Sequence, residues 1–300
     1  MSTESSLRAD IVEVGRRMYA RGYTASNDGN ISVRLGTDRL LMTPKGVCKG
    51  FMSPDMMCIT DLDGRKLQGD RDPSSEMLMH LEVYRQRPDV GAVVHAHPPT
   101  ATGFAVAGIP LDRAVLAEVL ATLGSIPIAD YATPSTKELP EAVRKYIKAY
   151  DGMLLANHGA LTVGPDLFAA YYKMETVEHF AQISLVARQL GRENLIAREE
   201  LDRLQALRGT YGIKAPAPLC PPDGQPAEDD PTCQFVQAPS GTGLRLVPDL
   251  IETRGAAAPA AGAAGTAAAP SVSRAGDEAE IRLTYRELSA LIEDAIRSLR

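Results

Sequence analysis

No stretch of the 300-residue chain reaches the roughly 18 consecutive apolar residues of a membrane-spanning helix, so no span is expected. The start, MSTESSLRAD, lacks a basic region followed by an apolar run, and no secretion signal is expected either. Basic residues are not in excess. Lys and Arg total 32 against 38 Asp and Glu, and a net charge of −6 argues against a nucleic-acid surface. Cysteine is sparse: Cys48, Cys58, Cys220 and Cys233 include no C-x-x-C pair, and are expected to be reduced thiols of a cytoplasmic protein. Cys220 and Cys233 could instead form a disulfide or half a metal site, but no second pair is present to complete one. Histidine is scarce too, at five residues, which makes its placement informative. The remainder is ordinary globular composition, 44% hydrophobic and 23% charged, enough for one large domain or two small ones.

Three regions are expected: a patterned body over 1–214, a Pro/Ala/Gly-rich linker region over 215–280 and a patterned tail over 281–300. The body alternates apolar patterns with turn signals. Leu7, Ile11, Val14 and Met18 share one helical face, and Gly22 can stop that helix. Residues 30–43 read as two short strands around a turn at 36–38. A helix is expected over 75–85, with Ser74 or Ser75 as cap and Glu76 in its first turn. Buried strands are expected at 90–94 and 152–156, and a long helix over 166–190. Such mixing indicates an α/β or α+β domain. In the linker, RGAAAPAAGAAGTAAAPSVSRAG has little to bury and is expected to be flexible.

His95 and His97 follow the apolar run GAVV with one residue between them. In a strand, residues i and i+2 point to the same side, so both rings can reach one point. His158 follows a second apolar run in LLANHG. Two strand ends that present histidine can build a three-imidazole metal site with an open fourth position. A single histidine is more often a satisfied core residue, but three of five in such positions are harder to explain that way. His80 and His179 fall inside helices and are read as structural. The serines of DPSSEMLMHLEVY, at a helix start, offer hydroxyls and free N–H groups to a phosphate, although capping explains them equally. In NDGNISVR, Gly29 lets the backbone approach a ligand and Asn30 can donate to it.

These segments resemble the class II aldolase/adducin family. The resemblance rests on SNDGNIS (26–32), LLMTPKGV (40–47), PSSE (73–76), RPDVGAVVHAHPP (87–99), YATPST (131–136) and NHGALTVG (157–164), in family order within about residues 7–213. It implies a three-layer α/β/α sandwich around a largely antiparallel central sheet, and homotetramers with the active site between subunits. It further implies a Zn²⁺ or other divalent-metal site at His95, His97 and His158, with Glu76 as acid/base and additional metal contact. Gly29, Asn30, Gly46, Ser74 and Ser75 match its phosphate-binding positions. Lys45 stands where the fuculose-phosphate enzyme has threonine; it can meet a phosphate or a substrate carboxylate. Tyr211, in GTYGI, matches a tyrosine of the segment that closes over substrate. One departure is evident: the stretch after Ile109–Pro110 lacks the family's catalytic tyrosine, and Glu118 is the candidate acid in its place.

The implied activity is cleavage of a ketose 1-phosphate of the fuculose or rhamnulose type to dihydroxyacetone phosphate and lactaldehyde. A sugar-phosphate epimerase or decarboxylase of the same fold is the alternative, and Glu76 after the serines favours aldolase over epimerase. A non-catalytic adducin-like interaction protein is the other; the intact histidine set argues against it. In the tail, Thr284 and Glu287 form a capping box, with Leu283 and Leu288 as its staple. Leu288, Leu291, Ile292, Ala295, Ile296 and Leu299 form an apolar stripe. Linker and helix together resemble the encapsulation peptides that direct enzymes into bacterial microcompartments, with shell proteins as partners.

Overall fold

The computed structural model describes residues 3–210. The central layer is an eight-stranded sheet. It comprises β1 (Asn30–Leu35), β2 (Arg39–Met42), β3 (Cys58–Asp61), β4 (Lys66–Gln68), β5 (Ala92–Ala96), β6 (Ile128–Ala129), β7 (Gly152–Leu155) and β8 (Gly159–Gly164). Their order is β4-β3-β2-β1-β5-β8-β7-β6, and every pairing is antiparallel except β6 with β7. The helices are α1 (Glu4–Ala20), α2 (Met77–Gln86), α3 (Pro99–Val106), α4 (Ala117–Thr122), α5 (Glu138–Arg144), α6 (Leu167–Gln189) and α7 (Arg198–Thr210).

Strand alternation divides the core into two layers. Ile31 and Val33 of β1 and Ala92 and Val94 of β5 pack with Ile11, Val14 and Met18 of α1 and with Met174 and Val177 of α6. On the opposite face, Val93 and the β8 residues Leu161 and Val163 pack with Met79, Leu81 and Val83 of α2 and Leu139 and Val143 of α5. This is the expected sandwich: a sheet covered by helices on both faces.

Some boundaries differ from the sequence expectations. The helix expected over 75–85 begins at Met77; Glu76 is its N-cap, at φ −100° and ψ 17°, and is not in the first turn. The strand expected at 90–94 is shifted to Ala92–Ala96, because the Val90 N–H closes a turn onto Arg87 O at 3.1 Å instead of joining the ladder. His95 therefore lies within the strand, fully buried between β1 and β8. His158 occupies the short connection between β7 and β8, where the preceding Asn157 adopts φ 56°. Cys48 and Cys58 are free thiols, and burial pushes the Cys58 thiol up to about 11. Tyr211, Cys220, Cys233, the linker and the tail lie outside the described residues. Among the described residues, no helix is long and apolar enough to cross a membrane.

Candidate active site and metal centre

At one end of the sheet, β5 delivers His95 and His97 and the β7–β8 hairpin delivers His158. Their ligand-capable atoms lie within 4.8 Å of one another. The hairpin must come close to β5 for this. A Cβ on Gly159 would sit 2.5 Å from Ala96 O and 2.6 Å from His97 Cδ2, so a side chain there would displace a histidine. Gly29 plays a similar part on the other side. It holds φ 71°, and a Cβ would come within 2.9 Å of His95 O.

The ring nitrogens are oriented for a cation. His95 Nδ1 faces the Ala160 carbonyl at 2.9 Å and must be the donor, which turns Nε2 toward the other two rings. Asp28 Oδ2 lies 3.5 Å from His97 Nδ1, and His97 Nε2 lies 3.1 Å from His95 Nε2. Burial, reinforced by His95 and His158, pushes His97 down to about 4, so its ring is neutral at pH 7. Three imidazoles whose ring nitrogens face one point suit a divalent cation of the zinc class.

Glu76 closes the cluster. Its Oε2 accepts from Asn30 Nδ2 at 2.7 Å and lies 3.3 Å from His95 Nε2. Its Oε1 lies 3.1 Å from His158 Nε2 but has no aligned hydrogen-bond partner; buried His158 Nδ1 has none either. Burial works to raise the Glu76 carboxyl. The imidazoles of His95 and His158 outweigh it and hold the group well below the usual carboxylate range.

The segments expected to bind phosphate are stitched together around this carboxylate. Lys45 N donates to Asp72 O at 2.9 Å and Ser74 N to Thr43 O at 3.2 Å, so 43–46 runs beside 72–75. Lys45, Gly46 and Ser75 are exposed, whereas Ser74 is buried and its hydroxyl accepts the Glu76 N–H at 3.3 Å. The Asn30 side chain is committed to Glu76 and His80. Sequence reasoning passed over Lys49. Its buried ammonium donates to Asn27 O at 3.0 Å and Val47 O at 2.6 Å, fastening the Gly29 loop to the Gly46 loop. Burial pushes it down to about 8. Glu118 is not brought to the histidines within one chain. It lines a different cleft, of about 840 Å³, with Arg21, Tyr23, Tyr172, Glu175 and His179.

Residues 9–185 match the family model described as "Class II Aldolase and Adducin N-terminal domain". The chain belongs to this family. The class II aldolase match extends to curated relatives. The chain is 33% identical over 190 residues to 3-oxo-tetronate 4-phosphate decarboxylase of Pectobacterium atrosepticum, covering 62% of this chain and 87% of that protein. It is also 33% identical over 216 residues to 5-methylthioribulose-1-phosphate/5-deoxyribulose-1-phosphate aldolase of Rhodospirillum rubrum, covering 72% and 97%. A solved structure of L-fuculose 1-phosphate aldolase superposes with a TM-score of 0.64 at 31% identity, covering 69% of this chain and 97% of that one. With this class II aldolase fold and the intact histidine set, the chain is an enzyme.

Proposed function

We propose that the chain is a divalent-metal-dependent aldolase that cleaves a ketose 1-phosphate to dihydroxyacetone phosphate and a short aldehyde, lactaldehyde for a fuculose- or rhamnulose-type substrate. The observation that carries this is the convergence of three imidazoles within 4.8 Å, with Glu76 against two of them. His95, His97 and His158, with Glu76 when substrate is absent, would hold Zn²⁺ or a similar cation, which when bound supplies a Lewis acid for charge developing on substrate oxygen. Gly29, Lys45, Gly46, Ser74 and Ser75 would receive the phosphate through backbone N–H groups, hydroxyls and one ammonium. Asn30 holds Oε2 of Glu76, so Oε1 is the oxygen free to move a proton to the carbon left by bond cleavage. We assign Tyr211 to closing over substrate. Glu118 would act only across a subunit boundary, as in a homotetramer with active sites between chains.

Decarboxylation of a 3-oxo sugar-acid phosphate is the second reading. Exposed Lys45 beside Gly46 favours it, since an ammonium there suits a carboxylate. Product analysis decides between them. The metal-loaded protein is incubated with fuculose, rhamnulose, 5-deoxyribulose and 3-oxo-tetronate phosphates. Aldehyde and triose phosphate support the aldolase; carbon dioxide release alone supports the decarboxylase. Chelation should abolish either activity and a divalent salt restore it, and full turnover after verified metal removal would sink both.

For residues 281–300 we propose a targeting helix that leads the enzyme into a microcompartment. Deleting 255–300 should leave catalysis and oligomer state unchanged but remove association with shell proteins. Loss of the oligomer would instead place the segment in the catalytic body.

A further inference from the structure

A line of buried polar side chains runs from the site into the core. Asn30 Oδ1 meets His80 Nε2; His80 Nδ1 lies 2.6 Å from Ser32 Oγ; Ser32 Oγ lies 3.0 Å from the Tyr84 hydroxyl. His80 and Ser32 are fully buried, Tyr84 and Asn30 nearly so. Two periodicities build this line. Asn30 and Ser32 are i and i+2 on β1, on the same face and about 6.6 Å apart along the strand. Glu76, His80 and Tyr84 are i, i+4 and i+8 along α2, about 6 Å apart per step. The two spacings nearly match, so strand and helix residues interleave in the order Glu76, Asn30, His80, Ser32, Tyr84.

The chemistry at one end fixes every proton. A carboxylate only accepts, so Asn30 must present its amide N–H to Glu76 and its carbonyl oxygen to His80. His80 Nε2 must then carry hydrogen. Burial pushes His80 down to about 3, so the ring is neutral and Nδ1 is bare. Ser32 must therefore donate to Nδ1, which leaves its oxygen to accept from Tyr84. Burial raises Tyr84 and keeps its phenol protonated, as a donor must be.

We propose that Tyr84, Ser32 and His80 are positioning residues: a one-directional hydrogen-bond chain that locks the Asn30 amide with its N–H on Oε2 of Glu76 and leaves Oε1 as the working oxygen. This rests on Glu76 being the proton carrier. Without the Ser32 hydroxyl, His80 is free to place hydrogen on Nδ1. Its bare Nε2 would then face Asn30 Oδ1, and the amide would lose the donor that steadies its N–H on the carboxylate. A network that only fastened α2 to the sheet would work with its protons in either direction. Its loss would appear in stability and nowhere else.

The experiment uses the full-length, zinc-loaded protein. Nitrogen-15 NMR of labelled histidine should show His80 as the neutral tautomer protonated on Nε2, a measurement that needs no substrate. Ser32→Ala should lower kcat on the order of 10- to 100-fold, the usual effect of removing a group behind the reacting ones. KM and zinc content should stay near wild type, and the acid limb of the kcat–pH profile should move. His80→Gln, which keeps an N–H near the place of Nε2, should recover most of what His80→Leu loses. A His80 protonated on Nδ1 or on both nitrogens overturns the proposal. So does a Ser32→Ala enzyme that loses thermal stability while its kcat and pH profile stay unchanged. Near-normal turnover of Glu76→Gln would remove the proton-carrier assignment itself, whereas an inactive Glu76→Gln beside a normal Ser32→Ala removes only the chain.

Discussion

Two of the buried carboxylates, Asp151 and Glu76, are treated differently. Asp151 is satisfied on both oxygens. Arg87 Nη2 lies 3.0 Å from Oδ1, Lys173 Nζ donates to Oδ2, and the two cations also bond Ile147 O and Val163 O at 3.1 Å. Glu76 is satisfied on one oxygen only. Its Oε1, like Nδ1 of neighbouring His158, has no hydrogen-bond partner. Paired charges with complete hydrogen bonding hold a fold together. A buried acceptor left open among three imidazoles has a cost that packing alone does not justify, and supports the metal site proposed above.

The contrast can be broken at either end. The largest effect is expected at Asp151. Asp151→Leu strands the Lys173 ammonium and leaves Arg87 with Asp89 as its remaining carboxylate; it should cost about 3 kcal/mol in denaturant unfolding, while zinc stoichiometry in the folded protein stays at about one per chain. Glu76→Gln is the converse. It should lower kcat by at least about 10²-fold with metal still bound. Its stability loss should be smaller than that of Asp151→Leu, and equal losses would erase the distinction. The next effect is pH-dependent and comes from His80. Its pKa falls from an ordinary value near 6.5 to about 3 in the fold. As pH drops below 6.5, the unfolded chain takes up a proton that the folded chain refuses. The stability His80 leaves intact above 6.5 therefore declines between 6.5 and 3. His80→Leu, though weaker at pH 7, should lose about one proton's worth of that slope in pH-dependent unfolding. The smallest effect is expected at the rim. Lys45→Thr should raise KM roughly two- to fivefold at constant kcat, as befits an exposed charge that binds substrate and transition state alike. A change in kcat instead would place Lys45 in the chemistry.

Elements with a long, clear period were legible in the sequence. The α1 stripe at Ile11, Val14 and Met18 and the hairpin of β1 and β2 appear where expected. So does α6, with Asp166 accepting from Ala169 N at 2.8 Å as its cap. Short elements were not. The eight residues of α3 are apolar on most sides and carry no stripe, and β6 has two residues. The histidines were legible because scarcity and H-x-H spacing survive without a structure. The chain behind them was not. Asn30, Ser32 and Arg34 alternating with Ile31, Val33 and Leu35 is the pattern of a strand with one wet face. That face is largely buried here, and its polar groups meet partners 46 to 56 residues away in sequence. His80 was read as structural from its place in a helix; only the pairing of α2 with β1 shows what lies on either side of it.

The near-match between a two-residue strand step and a four-residue helix step makes the segment from Glu76 to Tyr84 intolerant of any change in length. One residue inserted between Glu76 and His80 would turn everything beyond it by about 100° around the helix. His80 and Tyr84 would then leave Asn30 and Ser32 together, and four buried polar groups would lose their partners in a single step. Substitutions at Leu78 or Arg85, off this line, change one side chain each. Insertions and deletions in descendants of this gene should therefore collect in the turns before Glu76 and after Gln86, and spare the helix between them.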